Sequence, residues 1–167
     1  EELKKAYEEY VEYDRIWNEK SAKYYAETPN PDWEDCQRVC GKNLYPGPHS
    51  PLNPFHATAL YDSMFKRVCP YTIKGVIWYQ GETDDCKPRT YFKLFKNMIQ
   101  LWRDDYEDDE LAFVFAQLPM HRYAADPDHK HWCIIREAQA KTAKTVRNTA
   151  MAVIIDCGEF NEIHPKD

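Results

Sequence analysis

The stretch GVIWYQGETDD, residues 75–85, joins a short apolar run to an abruptly polar turn. Four consecutive apolar residues, Val76 to Tyr79, are typical of a strand with both faces buried. The run stops at the amide Gln80, and a glycine and the carboxylate Glu82 come next. Two interpretations of this polar end stay open: an ordinary exit from a strand into a loop, or an amide that a rigid element delivers to a reaction site.

The residues around and after this stretch predict an alternation of strands and helices. Strands are predicted over 73–79, over 111–118 (LAFVFAQL) and over 150–156 (AMAVIID), because these runs are almost continuously apolar. Residues 91–102 and 132–146 predict helices, and in the first of them the apolar residues recur at 3.6-residue spacing. This alternation is typical of a parallel sheet with helices on both faces. The predicted fold is α/β and doubly wound, with three layers (αβα) in which a parallel sheet lies between two layers of helices.

The first 50 residues follow a different pattern. Residues 2–26 predict one long helix with an aromatic stripe, because its large aromatic side chains recur at steps of three, four or seven residues: Tyr7, Tyr10, Tyr13, Trp17 and Tyr24. A proline-rich connector follows, with a short helix predicted over 34–40. A further helix is predicted over 54–66, with Pro54 in its first turn. An irregular segment of this length is typical of a functional or mobile region.

The composition limits the classes of function. The 167 residues suffice for one domain, and the formal net charge of −6 argues against nucleic acid as a partner. No apolar run approaches the length of a membrane span, and the charged opening EELKKAYEEY is unlike a signal peptide, so no membrane partner is expected. The six cysteines are scattered without the spacing of a zinc site: Cys36, Cys40, Cys69, Cys86, Cys133 and Cys157. We expect free thiols, which favour the cytoplasm, while a secreted or lumenal location stays open.

Polar residues gather where the predicted strands end. In an open parallel sheet, ligands bind beyond the carboxyl ends of the strands. The three strands end in QGE (80–82), in QLP (117–119) and in DCGE (156–159), and His164 follows soon after the last. These groups are therefore expected on one edge of the sheet, where this architecture places its chemistry.

Five stretches carry a resemblance to a known family: IKGVIWYQGETDD, YFKLFKNMIQLWR, FVFAQLP, IIREAQAKTAK and MAVIIDCGEFNEIHPKD. In letters, order and spacing they resemble the sialate O-acetylesterase family, carbohydrate esterases with the SGNH-hydrolase fold. The resemblance covers residues 51–167, which would form the C-terminal part of the esterase domain. Residues 1–50 would then be a helix and a proline-rich insertion of the same domain. The resemblance implies that acetyl groups are removed from O-acetylated sialic acid or a related sugar by a serine nucleophile, without a cofactor.

The resemblance implies catalytic roles for three residues at the sheet edge. Gln80 would donate an N–H group to the oxyanion of the tetrahedral intermediate. His164, in NEIHPKD, would be the general base. Glu162 occupies the acidic position that would orient the imidazole, although Asp156, Glu159 or a backbone carbonyl stay open as its partner.

Three further residues are candidates for binding the substrate. Gly81 and Glu82 follow Gln80 directly, and the Glu82 carboxylate either binds a sugar hydroxyl or holds the loop by accepting backbone N–H groups. Arg136, at the start of IIREAQ, either pairs with an acid or reaches an anionic sugar.

The histidines between the second strand and the second helix are not predicted to bind a metal. The segment PMHRYAADPDHKHW places a lysine between two of the possible ligands and has no fixed secondary structure, so it predicts a solvated loop. A role in lining the substrate site is the alternative. The residues concerned are His121, Asp126, Asp128, His129 and His131.

The position of the nucleophile distinguishes this sequence from the family pattern. In the family, the serine lies in a GQSN-like turn after the first strand, and this sequence has no such turn. Its three serines, Ser21, Ser50 and Ser63, do not follow a predicted strand. We therefore expect the serine outside this chain, on a strand in the N-terminal part of the same domain. The alternative function is a non-catalytic carbohydrate-binding or structural remnant of such a domain.

Overall fold

The computed structural model describes residues 1–69, 71–121, 130–159 and 163. The chain forms two compact units, Glu1–Val68 and Cys69–Asp167. The boundary between these units lies after Val68, whereas the prediction from the sequence treats residues 1–50 as an insertion of the same domain as residues 51–167. The assignment of residues 1–50 to an insertion of the esterase domain stays a prediction.

The first unit is helical. Its elements are α1 (Glu2–Glu27), α2 (Trp33–Cys40), a π-helical turn (Tyr61–Phe65) and α3 (Lys66–Val68). The first two confirm the helices predicted over 2–26 and 34–40. None of the helices in the described ranges combines the length and the hydropathy needed to span a bilayer.

The helix predicted over 54–66 is wrong at its beginning, because residues 54–58 form turns. The Asn53 side chain explains this difference. Its Oδ1 accepts the Phe55 N–H at 2.8 Å, and its Nδ2 donates to the carbonyls of two prolines in the preceding connector. Asparagine side chains that bond to nearby backbone in this way compete with helix formation. The positive φ of 68° at Thr58 further separates these turns from the helix.

Two members of the aromatic stripe of α1 are buried within the first unit. Trp17 and Tyr24 are buried with Cys36 and Cys40 of α2. The Trp17 Nε1–H donates to the carbonyl of Gly41 at 2.6 Å, which satisfies the polar atom of the buried indole. Apolar burial and one directed hydrogen bond therefore both join α1 to the connector.

The second unit is an α/β structure with a three-stranded parallel sheet. Its main elements are β1 (Gly75–Trp78), α4 (Tyr91–Asp105), β2 (Ala112–Gln117), α5 (Lys130–Thr145) and β3 (Thr149–Val153). Short 3-10 helices cover Glu82–Cys86, Pro88–Thr90 and Ile155–Cys157. The sheet has the order β1-β2-β3, and both pairs of neighbouring strands are parallel. The predicted α/β fold with a parallel sheet is confirmed.

Both described helices of this unit pack on the same face of the sheet. The core on that face combines side chains from β2, α4 and α5: Phe113, Phe115, Tyr91, Phe95, Ile99, Trp132 and Ile135. Parallel crossovers are almost always right-handed, so successive crossovers that move in one direction across a sheet cover one face only. The opposite face is exposed, with Ile77 at 90% and Val114 at 45% of their full exposure. In the described part of the chain, the strands are therefore not buried on both faces as their sequences predict.

Candidate active site

The carboxyl ends of the three strands lie at one edge of the sheet, because all three strands are parallel. Gln80 follows β1 there, and Leu118 follows β2. The chain after β3 runs beside the chain after β2, since the Met120 N–H donates to the Ile155 carbonyl at 3.3 Å. At Gly158, a Cβ atom would stand only 2.2 Å from the Met120 carbonyl oxygen. The described strand ends therefore share one edge, as predicted.

Gln80 is held at this edge through both its side chain and its backbone. Its Nε2 donates to Asp84 Oδ2 at 2.6 Å. Its carbonyl oxygen accepts the Tyr91 hydroxyl at 3.0 Å and Gln139 Nε2 at 3.3 Å. An amide nitrogen carries two N–H groups, so the bond to Asp84 orients the amide and leaves the second N–H for a ligand.

Asp84 was not identified from the sequence as a site residue. It lies in the 3-10 helix that follows β1, and its N–H donates to the carbonyl of Gly81 at 3.1 Å. This turn brings its carboxylate back to the Gln80 amide four residues earlier. The spacing of an amide and a carboxylate at i and i+4 in QGETD is the sequence signal that indicates such a pair.

Gly81 is required by close packing and by its backbone conformation. It has a φ of 149°, and a Cβ atom there would stand 3.1 Å from Leu118 Cδ1 and 3.2 Å from Ile135 Cγ2. The exit of β1 is therefore pressed against the end of β2 and against α5. A contact between Gly81 and substrate stays a prediction.

Gln139 joins the ends of β1 and β2 from inside the core. Its side chain is fully buried on α5. Its Oε1 accepts the Leu118 N–H at 2.9 Å, and its Nε2 lies 3.3 Å from the Gln80 carbonyl and 3.4 Å from the Ala116 carbonyl. No role for Gln139 is predicted from the sequence. The signal was a polar residue four positions after Ile135, on the helix face that the apolar pattern predicts to be buried.

We expect Gln139→Leu to lower the free energy of unfolding by about 2–4 kcal/mol, because it leaves the buried Leu118 N–H and the Gln80 carbonyl with fewer partners. Denaturant unfolding measures the change. Gln100→Leu is the matched control, since Gln100 is exposed on α4 and bonds only to Asp104 among the described residues. Equal effects of the two substitutions would contradict the bridging role of Gln139.

Tyr91 supports the same carbonyl from the start of α4. Its side chain is 2% exposed, and burial raises the pKa of its phenol to about 12. The protonated hydroxyl donates to the Gln80 carbonyl. Sequence periodicity placed Tyr91 on the apolar face of the helix but gave no indication of this hydrogen bond.

The predicted substrate-binding side chains Glu82 and Arg136 lie near the same strand ends. Glu82 is half-buried and accepts no hydrogen bond from any described residue, so the predicted alternative of holding the loop gains no support. The pKa of the Tyr79 hydroxyl is raised, mainly by its burial and to a smaller extent by the negative charge of Glu82. Arg136 donates to the Leu118 carbonyl at 3.0 Å and to Gln117 Oε1 at 3.3 Å. Arg136 forms no ion pair within the described ranges, and sugar contacts by either side chain stay predictions.

His164 and Glu162 lie outside the described residues, so their catalytic roles stay predictions. Ile163, which separates them in the sequence, packs against the hydrophobic core of the second unit. Of the alternative acidic partners, Asp156 is exposed in the 3-10 helix after β3, and Glu159 is half-buried.

The histidine-rich segment is only partly described. The His121 ring packs 5.3 Å from the Trp132 ring, and His131 lies in the first turn of α5. Within the described ranges, no group of three histidine, cysteine or acidic side chains is arranged to hold a metal ion. Asp126, Asp128 and His129 lie outside those ranges.

The three serines lie within their own helices and turns. Ser21 Oγ donates to the Asn18 carbonyl, and Ser63 Oγ donates to the Ala59 carbonyl. Ser50 is 4% exposed, and its Oγ accepts the N–H two residues further on. A nucleophile needs access to substrate and a base within hydrogen-bonding distance. Buried Ser50 offers no such access.

The geometry of the edge suits stabilisation of negative charge on a bound oxygen. Gln80 presents an oriented amide donor, and Asp84, Tyr91 and Gln139 restrict its movement. Donors that are held in position before the reaction lose little energy to reorganisation when charge develops in the transition state.

Comparison with known protein families gives one family match. Residues 48–164 match the family described as "Carbohydrate esterase, sialic acid-specific acetylesterase". The match covers the sheet, both helices of the second unit and the segment that contains Gln80.

Individual relatives agree with this match. The chain is 28% identical over 130 residues to the sialate O-acetylesterase of Mus musculus, covering 68% of this chain and 24% of that protein. It is 26% identical over 134 residues to the Homo sapiens protein of the same name, covering 71% and 26%. A solved carbohydrate acetylesterase from Xanthomonas citri superposes with a TM-score of 0.60 and 38% identity, covering 64% of this chain and 25% of that one. The chain spans about a quarter of the length of these relatives.

Proposed function

Since this chain belongs to the carbohydrate esterase family of sialic acid-specific acetylesterases, we propose that it supplies part of the active site of a carbohydrate O-acetylesterase. Its substrate would be O-acetylated sialic acid or a related acetylated sugar. The single observation that carries the proposal is Gln80, whose amide and carbonyl are both held at the carboxyl edge of the sheet. The roles proposed for His164 and Glu162, two of the three predicted catalytic residues, rest on the sequence alone.

The proposed reaction is serine-dependent ester hydrolysis. The serine oxygen attacks the acetyl carbonyl carbon while His164 takes the serine proton. The resulting oxyanion accepts the second N–H of Gln80. The C–O bond to the sugar then breaks, and His164 returns the proton to the sugar oxygen. Water hydrolyses the acetyl-enzyme by the same two steps and releases acetate.

Glu162 would orient the imidazole of His164 by accepting its second N–H. Asp156 and Glu159 stay as alternative acceptors.

We place the nucleophilic serine outside this chain, in the N-terminal part of the same domain. The local hydrogen bonds of the three serines support this placement. The exposed apolar face of the sheet, including Ile77, also supports it, since a further part of the domain would bury that face.

We expect Ile77→Asp to lower the free energy of unfolding of the full-length protein by about 3 kcal/mol or more, because the substitution would bury an unpaired carboxylate. Ile77→Val is the control and should cost only about 1 kcal/mol. Denaturant unfolding measures both. A change within about 0.5 kcal/mol for Ile77→Asp, as is usual at an exposed site, would show that nothing covers this face.

Acetate release by the full-length protein tests the proposed function. The substrates are O-acetylated sialic acid and 4-nitrophenyl acetate, assayed with the wild type and with Ser50→Ala. We expect turnover by both proteins, because Ser50 is buried. Loss of turnover in Ser50→Ala would assign the nucleophile to this chain. Sugar binding without acetate release would favour the non-catalytic alternative and overturn the proposal.

A further inference from the structure

A cavity of about 420 Å³ opens between the two 3-10 helices that follow β1 and the first turn of α5. Because α5 runs opposite to the strands, its first turn lies at the carboxyl edge of the sheet, as do the two 3-10 helices. The volume falls in the range of pockets that hold small molecules. Among the residues that the structure describes, none assigned to the catalytic machinery lines this cavity.

The lining of the cavity is positively charged, although the chain as a whole carries a net charge of −6. Lys87, Arg89 and Lys130 contribute three cationic side chains, and His131 lies beside them. No aspartate or glutamate is among its described lining residues. Lys87 and Arg89 are exposed, and their side chains bond to no other residue in the part of the chain that the structure describes. Two cations that lack a partner among the described residues are thus available to an anionic ligand.

A chain of hydrogen bonds connects this cavity to Gln80. Gln80 Nε2 bonds to the Asp84 carboxylate, and the Asp84 N–H donates to the Gly81 carbonyl. The Asp84 carbonyl in turn accepts the Lys87 N–H at 2.9 Å, and the Lys87 carbonyl accepts the Thr90 N–H at 3.0 Å. The backbone advances about 2 Å per residue in 3-10 helices. Lys87 and Arg89, three and five residues after Asp84, therefore lie within about 10 Å of Asp84 along the chain. The cationic residues therefore follow closely on the segment that orients Gln80.

We propose that this cavity binds the carboxylate of an acidic sugar while the acetyl ester of the same sugar lies at Gln80. This inference rests on the proposed function and adds a determinant of specificity to it. The guanidinium of Arg89 matches a carboxylate in shape and charge, and Lys87 adds a second cation two residues away. The site would select acidic over neutral acetylated sugars.

The test compares two substrates of the full-length protein, an O-acetylated sialic acid and its methyl ester, which lacks the carboxylate charge. The variant is Lys87→Ala with Arg89→Ala. We expect the ratio of kcat/KM for the acid to kcat/KM for the ester to fall about tenfold through KM, since each exposed charge contact contributes up to about fivefold. Lys96→Ala, an exposed lysine on α4 outside the cavity, should leave the ratio unchanged. An unchanged ratio in the double variant would overturn the proposal.

A binding measurement separates failure of this inference from failure of the proposed function. Free, unacetylated sialic acid is titrated into the full-length wild type and the double variant, and NMR follows the amide signals of positions 86, 87, 89 and 90. We expect the signals of the wild type to shift on binding, and we expect an affinity about tenfold lower in the variant. This result does not depend on whether either protein releases acetate. The absence of shifts would overturn the cavity assignment. Tighter binding of inorganic phosphate than of the sugar would also overturn it, because the cavity would then be a phosphate site.

Discussion

Replacing His164 by alanine in the full-length protein is expected to lower kcat on an O-acetylated sugar by about a thousandfold or more. A serine hydroxyl is a weak nucleophile until a base removes its proton, and general bases contribute roughly 10²- to 10⁴-fold. Substrate binding should change little, because the base acts on the reacting proton. Steady-state kinetics at saturating substrate measures the effect.

His49→Ala is the matched control for this prediction. His49 is an exposed histidine in the first unit, and its loss should leave kcat unchanged. If His164→Ala kept full activity, His164 would not be the base, and the best sequence-derived candidate for the site would be lost.

Gln80→Ala is expected to lower kcat by about 10²- to 10³-fold with little change in KM. The removed N–H would stabilise charge that develops only in the transition state, and single donors of this kind contribute about that factor. The free energy of unfolding should fall by only about 1 kcal/mol, because the lost amide bonds solely to Asp84 among the described residues. Separate kinetic and unfolding measurements distinguish the two effects.

Gln100→Ala, which removes an exposed amide from α4, should change neither quantity appreciably. A rise in KM with constant kcat in Gln80→Ala would show that the amide binds ground state and transition state alike. It would then be a substrate ligand and not an oxyanion donor.

The strands and helices of the second unit could be predicted because their burial patterns are local. The end of β3 is an informative exception. The apolar run AMAVIID predicted a strand to residue 156, but β3 ends at Val153, which pairs with Gln117, the last residue of β2. A strand extends only as far as its partner continues, and Ile155–Cys157 therefore forms a 3-10 helix. The apolar character of a run does not show where its partner ends.

The exposed face of the sheet could not be predicted from the strands alone. Ile77 has the apolar neighbours of a residue buried on both sides, yet it is 90% exposed. Which face a helix covers depends on the direction in which each crossover moves across the sheet, and strand sequences do not encode that direction.

The candidate site also combines residues that could be predicted from the sequence with residues that could not. Gln80 could be predicted as a site residue because it lies in a recognisable motif within one continuous segment, residues 75–85. Gln139 was not assigned a role, because its bond to the Gln80 carbonyl joins residues 59 positions apart. Tyr91 resembled any aromatic residue on an amphipathic helix, and only the folded chain shows its hydroxyl at the same carbonyl. Contacts between distant segments are the part of the site that local patterns leave out.

A crystal structure of the full-length protein with acetate bound would show whether Gln80 and His164 serve one ester-hydrolysing site. If they do, we expect an acetate oxygen about 2.7–3.1 Å from Gln80 Nε2. We also expect the His164 imidazole within hydrogen-bonding distance of a serine oxygen beside the same acetate, about 2.6–3.2 Å away. Gln80 and His164 on opposite edges of the sheet, with acetate at neither, would contradict this expectation.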